Sequence, residues 1–153
     1  MKLLALKVYF FLATTCPISQ QYTAYIQQFT LSAKQKNIEV VLVFPANNSS
    51  KKEVRDFLHH YQLTAAVRLD KQYKLSKQLN ATVTPEVFLL TEKDEILYHG
   101  AIDNWYYSLG QNRMQITEHY LDNAVTQALN RQSILRPFVQ PVGCFIETGK
   151  PTP

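Results

Sequence analysis

Cysteine is scarce in this 153-residue chain, which contains only Cys16 and Cys144. Two cysteines are too few for a small scaffold that several disulfides hold together. No C-x-x-C or H-x-x-x-H spacing is present, so the sequence offers no pattern of ligands for a structural zinc ion. If either sulfur has a role beyond packing, we expect that role to be chemical.

The chain also lacks a basic stripe, internal repeats and low-complexity segments. Its 16 basic and 12 acidic residues give a formal charge of +4 and are spread along the sequence. Proteins that neutralise nucleic-acid phosphates concentrate their basic residues, so we expect no nucleic-acid partner. A hydrophobic content of 46% at this length predicts one domain with one core.

No apolar run is long enough to span a bilayer, and the longest candidate, Leu3 to Ala13, is interrupted by Lys7. Because Met1-Lys2 precede this run, it has the pattern of a short signal peptide. The alternative is a buried strand, which the content of Val, Tyr and Phe favours. We therefore expect no membrane span in this chain.

Hydrophobic periodicity predicts alternating strands and helices. Apolar residues at helical spacing follow Cys16, and Pro17 suits the first helical turn. The β-branched run Ile38–Phe44 predicts a second strand, and Ser50 with Glu53 predicts a capped helix. The other predicted elements are a strand at 65–69, a short helix at 73–79, a hairpin of strands 86–90 and 95–99, and a last helix that starts near Thr117.

This order predicts an α/β protein with the thioredoxin-like fold, in which a mixed central sheet is flanked by helices and one helix is inserted in the middle. Residues 133–153 hold four prolines and two glycines. We therefore expect a thioredoxin-like domain at 1–132 and an extended C-terminal tail at 133–153, docked on the domain.

Cys16 precedes the first predicted helix and would occupy its N-cap. Unpaired backbone N–H groups and the helix dipole favour the thiolate over the thiol at such a position. The alternative is a buried, inert cysteine, and the position alone does not decide between the two.

Pro85 stands at the start of the predicted strand Glu86–Leu90. Proline is normally excluded from a central strand, and a cis peptide bond would expose the preceding carbonyl beside the end of the neighbouring strand. The alternative is a trans proline that only opens the strand. With Cys16-Pro17 in the same sequence, the cis form is favoured.

Three segments in this order resemble the redoxin branch of the thioredoxin superfamily, which includes TlpA/ResA-type oxidoreductases and peroxiredoxin-like proteins. They are FFLATTCPIS (10–19), TPEVFLL (84–90) and YHGAIDN (98–104), and PVGCFI (141–146) is similar to a subgroup with a Gly-Cys tail. The resemblance implies a thiol-based redox protein without a cofactor. It would exchange disulfides or reduce peroxide through Cys16, with protein thiols, protein disulfides or hydroperoxides as partners.

The chain departs from both better-known patterns. Ser19 replaces the second thiol of C-x-x-C, so we assign it instead as a hydrogen-bond donor to the Cys16 thiolate. Ala13 stands where peroxiredoxins carry a hydroxyl, which Thr14 or Thr15 would have to supply from a shifted position. Cys144 is either a chance residue in a loose tail or the resolving thiol of a docked one. The candidate catalytic residues are Cys16, Cys144, Pro85, Ser19 and Thr15.

The alternative function is a non-catalytic binding or sensing module, including a copper-handling domain. The adjacent His59 and His60 cannot readily chelate one ion on a helix. The sequence starts directly at a predicted strand, and its last residues belong to no predicted helix or strand. We therefore expect an extracytoplasmic domain of a longer, multidomain redox protein, with the export signal outside this sequence.

Overall fold

The computed structural model describes residues 4–45 and 50–147. The Met1-Lys2 start and the end of the predicted tail, 148–153, lie outside these residues. The elements are β1 (Leu6–Phe11), α1 (Pro17–Gln21), α2 (Thr23–Lys34), β2 (Ile38–Pro45), α3 (Lys51–His60), β3 (Ala66–Asp70), a 3₁₀ turn (Lys71–Tyr73), α4 (Lys74–Leu79), β4 (Val83–Thr84), β5 (Glu86–Thr91), β6 (Ile96–Gly100), β7 (Tyr106–Ser108), β8 (Gln111–Asn112), α5 (Tyr120–Leu129), β9 (Phe138–Val139) and β10 (Cys144–Phe145).

The central sheet has the order β3-β2-β1-β5-β6-β9. Strand β1 pairs in parallel with β2, and β2 pairs in parallel with β3. On the other side β1 pairs antiparallel with β5, which pairs antiparallel with β6. The predicted α/β class and thioredoxin-like fold with a mixed sheet are confirmed.

The side chains of β1 alternate between the two faces of the sheet. Val8 and Phe10 join the larger apolar cluster, which includes residues from α1, α2, α3 and α5. Phe11 joins a smaller cluster on the opposite face, together with Leu75 and Leu79 of α4. Helices therefore cover both faces of the sheet. The end of buried strand β1 fixes the segment that leads to Cys16, and the beginning of buried strand β5 fixes Pro85, which precedes it.

The predicted strand in the first apolar run is confirmed as β1, and the Ser50 hydroxyl caps α3 by accepting a hydrogen bond from the Glu53 N–H at 3.1 Å. The last helix, predicted to start near Thr117, begins at Tyr120. The backbone N–H groups of Thr117 and Glu118 donate instead to Asn104 Oδ1, at 3.0 Å each, which holds this stretch as a loop.

The part of the tail that the structure describes forms two short strands. Strand β9 pairs in parallel with β6, and β10 pairs antiparallel with β4. Neither strand was predicted, nor was the small hairpin β7-β8. Within residues 4–45 and 50–147, none of the helices combines the length and the apolarity needed to cross a bilayer.

Candidate active site around the disulfide

Cys16 lies at the N-cap of α1, as predicted, in an extended backbone conformation. Its N–H donates to the Ala13 carbonyl at 3.2 Å, and its own carbonyl accepts from the Gln20 N–H at 3.1 Å. The residue is only 2% exposed. The end of β1 and the first turn of α1 thus fix the sulfur beneath the surface.

A disulfide joins Cys16 to Cys144, whose Cα atoms are 6.1 Å apart although 128 positions separate them in sequence. The pairing named in the sequence-based hypothesis is therefore present. Both cysteines of the chain are bonded, and Cys144 remains partly exposed. The bond ties the last described segment of the tail to the start of α1.

Backbone pairing between β10 and β4 delivers Cys144 to this place. Cys144 lies opposite Thr84, and Phe145 lies opposite Val83. One residue further on, the Ile146 N–H donates to the Thr82 carbonyl at 2.9 Å. A short strand, rather than a free chain end, therefore positions the second sulfur.

Gly143 passes in close contact with the segment that precedes Pro85. A Cβ atom at this position would overlap the carbonyl oxygen and carbon of Thr84. Because these are backbone atoms, they have no rotamer by which to move aside. Glycine is therefore the residue that lets the tail approach β4 closely enough for Cys144 to reach Cys16.

The Thr84-Pro85 peptide bond is cis, as predicted. The Thr84 carbonyl oxygen lies 3.3 Å from the Cys16 sulfur. A disulfide sulfur carries no proton, so this is a contact in the oxidised protein, whereas a reduced thiol at the same place would have an acceptor. The buried Thr84 hydroxyl has no hydrogen-bond partner among the described residues.

Ser19 and Thr15 lie near Cys16 in different surroundings. Ser19 is fully buried, and its hydroxyl oxygen accepts a hydrogen bond from the Ala13 N–H at 3.3 Å. Thr15 is exposed. Within the part of the chain that the structure describes, neither hydroxyl is hydrogen-bonded to the Cys16 sulfur, so their assigned roles remain predictions.

The sequence analysis missed a buried polar group next to Pro85. Asp103 is 5% exposed and accepts hydrogen bonds from the Tyr22 hydroxyl at 2.5 Å and the Trp105 N–H at 2.9 Å. Tyr22 and Asp103 line a small cavity together with Pro85 and with Val142 of the tail. The full set of lining residues is Tyr22, Pro85, Ala101, Ile102, Asp103, Tyr106 and Val142. The only signal in the sequence was the position of Asp103 within YHGAIDN.

Burial raises the pKa of Asp103 above its ordinary value, and the hydrogen bonds from Tyr22 and Trp105 lower it in part. Burial also raises the pKa of the Tyr22 hydroxyl, and its bond to Asp103 adds to that shift. The tyrosine therefore stays protonated and donates to the carboxylate.

The histidines are not gathered around the sulfur atoms. His59 and His60 are exposed on α3, and His99 contacts Glu86 rather than Cys16. Among residues 4–45 and 50–147, no group of three or more His, Cys, Asp or Glu side chains could hold a metal ion.

Residues 5–104 match the family model described as Redoxin. A comparison with curated protein sequences finds no significant match. Among solved structures, a hypothetical protein from Sinorhizobium meliloti 1021 is similar with a TM-score of 0.80 and 20% identity, over 93% of this chain and 79% of that one. An uncharacterized conserved protein from Geobacillus kaustophilus is similar with a TM-score of 0.83 and 17% identity, over 97% and 79%.

A secreted disulfide oxidoreductase from Mycobacterium tuberculosis, described as homologous to DsbE of E. coli, is also similar. Its TM-score is 0.53 and its identity 13%, over 60% of this chain and 66% of that one. At these identities the three structural likenesses show a shared fold. The match to the family model concerns the sequence itself and covers Cys16, Pro85 and Asp103.

Proposed function

Because the chain belongs to the Redoxin family, we propose that it is a thiol-disulfide redox protein in which Cys16 attacks and Cys144 resolves. The observation that carries this proposal is the Cys16–Cys144 disulfide, formed beside a cis-proline segment. Cys144 is partly exposed, so a thiol can reach one sulfur of the bond, as a disulfide that is made and broken requires.

In the proposed cycle the reduced protein meets a protein disulfide. The Cys16 thiolate attacks one substrate sulfur, a mixed disulfide forms, and the other substrate sulfur leaves as a thiolate. The Cys144 thiolate then attacks the Cys16 sulfur, so that the internal disulfide forms and the substrate leaves with its second thiolate. The substrate gains two electrons and two protons, and the protein loses them.

Exposure indicates how the cycle is closed. Cys16 is 2% exposed in the oxidised protein, whereas Cys144 is partly exposed. A reducing thiol therefore reaches Cys144 first, and Cys16 leaves as a thiolate because access decides which sulfur is attacked. A second reducing thiol then attacks the first reductant sulfur, so that the reductant leaves as a disulfide and Cys144 leaves as a thiolate. This release frees the tail from the segment around Pro85, where a substrate chain can bind.

The other candidate residues have supporting roles in this proposal. Pro85 shapes the groove that the tail occupies in the oxidised protein. Ser19 stabilises the loop before Cys16 through the Ala13 N–H, and in the reduced protein its own proton is a donor for the thiolate. Thr15 lies at the exposed rim of the same loop, where it contacts an incoming partner.

Disulfide exchange is favoured over peroxide reduction. A peroxide-reducing site needs a hydroxyl placed to orient the peroxide, and Ala13 occupies that position. The Cys16–Cys144 bond is the expected product of either reaction, so the missing hydroxyl at position 13 is the observation that favours exchange.

Trapping of the mixed disulfide tests the proposal. Cys144→Ser should accumulate a covalent adduct between Cys16 and a model substrate such as insulin, because the resolving sulfur is missing. Wild type should turn over, and the matched variant Cys16→Ser should form no adduct. Mass spectrometry of non-reduced peptides identifies the linked residues.

Two results would contradict the proposal. One is a Cys16→Ser variant that reduces insulin as fast as wild type. The other is oxidised wild type that contains no Cys16–Cys144 cross-link. Faster consumption of hydroperoxide than of insulin disulfides would assign peroxide reduction instead.

The proposal includes an oxidising, extracytoplasmic compartment and membership of a longer redox protein. Disulfides persist in such compartments, and the similar M. tuberculosis protein is described as secreted. Residues 1–132 act as the domain and 133–153 as its tail, because the described tail residues pair only with strands of that domain. Fractionation of the native cells, followed by immunoblotting of the full-length protein, tests location and size together.

A further inference from the structure

Glu86 is a buried carboxylate that the proposed cycle does not use. It is the first residue of β5, follows Pro85 directly and is 1% exposed. Its Oε1 accepts hydrogen bonds from the Thr82 N–H at 2.9 Å and the Thr82 hydroxyl at 3.1 Å. Its Oε2 lies 3.3 Å from His99 Nδ1. A buried carboxylate normally needs several such partners, and Glu86 has three.

One of these partners leads to the second sulfur. While Thr82 donates twice to Glu86, its carbonyl accepts the Ile146 N–H at 2.9 Å. This bond extends the pairing of β4 with β10, in which Cys144 lies opposite Thr84. The Glu86 carboxylate therefore fixes Thr82, and Thr82 in turn holds Ile146, the residue that follows β10.

The other partner leads to the beginning of the tail. The His99 ring stacks on Phe88 with centroids 5.3 Å apart and contacts Phe138 at 4.7 Å. The His99 N–H donates to the Pro137 carbonyl at 3.0 Å, and His99 lies opposite Phe138 in the pairing of β6 with β9. A change in the position of His99 would therefore move β9 as well.

The geometry points to Glu86 as a positioning residue that joins the two attachments of the tail, at β4 and at β6, and so raises the effective concentration of Cys144 at Cys16. This inference rests on the proposed redox role of the disulfide. The equilibrium that it concerns is the reaction of the internal disulfide with two glutathione molecules to give two protein thiols and glutathione disulfide. Two electrons and two protons pass to the protein.

Glu86→Met tests the inference, because methionine keeps the length of the side chain and accepts none of the three hydrogen bonds. We expect the equilibrium constant for forming the disulfide to fall about tenfold, which is about 30 mV for a two-electron couple. The variant disulfide is then easier to reduce. Glu86→Gln keeps an acceptor for Thr82 and should stay within about threefold of wild type. Chromatography of acid-quenched samples from glutathione buffers gives both values.

Asp70 provides a matched control, since it is a buried carboxylate that also accepts three hydrogen bonds. Its donors are the N–H groups of Leu75 and Ser76 and the Ser76 hydroxyl, none of which belongs to the tail. Asp70→Leu removes all three bonds, as Glu86→Met does, and should lower the melting temperature of the oxidised and reduced forms alike and leave the disulfide equilibrium unchanged. A purely structural role of Glu86 would give this same result.

A second variant covers the case in which Glu86→Met does not fold. Thr82 is exposed, and Thr82→Val removes only its hydroxyl bond to Glu86. We expect a shift of about threefold in the same direction. An equilibrium constant within error of wild type in each folded variant overturns the inference and leaves the proposed function intact. A wild type that forms no internal disulfide overturns both.

Discussion

At the scale of single residues, access of Cys144 to Cys16 depends on residues other than the two cysteines. Gly143 leaves room for the Thr84 carbonyl, and that carbonyl in turn contacts the Cys16 sulfur. The tail thus fits because the Thr84 backbone lies on one side and Gly143, which has no side chain, lies on the other. Substitutions here act on the disulfide without touching either cysteine.

Gly143→Ala should weaken the disulfide. The added methyl group overlaps the Thr84 carbonyl, and the tail must move away at a cost of roughly 1–3 kcal/mol. The equilibrium constant for disulfide formation in glutathione buffer should fall about tenfold or more. Gly110→Ala is the control for destabilisation elsewhere in the chain, because a φ of +74° disfavours alanine there although a Cβ has no atom within 4 Å. Equal equilibrium constants for the two variants would contradict the steric explanation.

Asp103 should make stability depend on pH in a defined direction. Burial raises its pKa in the folded protein above the ordinary value of 3.8, so the folded state prefers the protonated acid. Its contribution to the free energy of unfolding is complete below that value and is lost as the pH rises through the folded pKa. The stability of wild type relative to Asp103→Asn should therefore fall as the pH rises above about 4. Urea denaturation of the oxidised proteins between pH 4 and pH 7 measures this difference.

Tyr22→Phe is the companion variant to Asp103→Asn. The hydrogen bond from Tyr22 lowers the pKa of Asp103, so its removal should raise that pKa further. Titration of the Asp103 carboxyl carbon by NMR reports the shift directly. A pKa that falls in this variant would rule out the assigned cause.

At the scale of elements, the chain is divided between structure that local signals specify and structure that depends on distant contacts. Helix α3 belongs to the first kind, with a hydroxyl cap at Ser50 and an amphipathic sequence that buries Val54 and Phe57. Strands β4, β9 and β10 belong to the second, since each contains only two residues. Their partners lie far away in sequence: β4 pairs with β10, and β9 pairs with β6.

Ser50→Ala should destabilise the protein by about 1 kcal/mol, because the Glu53 N–H loses its capping partner at the start of α3. The disulfide equilibrium should not change, since the lost hydrogen bond lies within the first turn of α3 and the backbone partner of β10 is β4. Ser50→Thr keeps the hydroxyl and serves as the control. Urea denaturation gives the loss, and an effect of the alanine variant on the disulfide equilibrium would show that the elements are coupled.

The same division explains what the sequence could predict. The apolar runs of β1, β2 and β5 and the cap at Ser50 leave periodic or local patterns, so those elements were predicted. A strand of two residues has no period, so β4 and β10 could not be recognised. Cys16 and Pro85 were found through their local placement and the family resemblance. Glu86 was missed because its role depends on Thr82 and His99, whose positions only the fold supplies.

At the scale of the whole molecule, the disulfide closes a loop across almost the entire chain. It joins the start of α1 to β10 over 128 positions. A cross-link of this span restricts the unfolded chain far more than the folded one. The redox state of the two sulfur atoms is therefore linked to the global stability of the protein as well as to its chemistry.

Reduction should lower the free energy of unfolding by roughly 2–5 kcal/mol, the range expected for a loop of this length. Urea denaturation with and without a phosphine reductant measures the difference. Cys144→Ser should match reduced wild type in both conditions, because it can never form the bond. Identical denaturation midpoints for oxidised and reduced wild type would show that the bond contributes nothing to global stability.

Cys16 and Cys144 are the only cysteines in the chain, and they are bonded to each other. The oxidised protein accordingly presents nothing for a maleimide to label, and the fully reduced protein presents two sites. A single label marks a molecule whose other sulfur is still held by a foreign partner. Counting mass increments of zero, one or two in a crude extract would thus reveal how the population is distributed over the cycle before any physiological substrate has been identified.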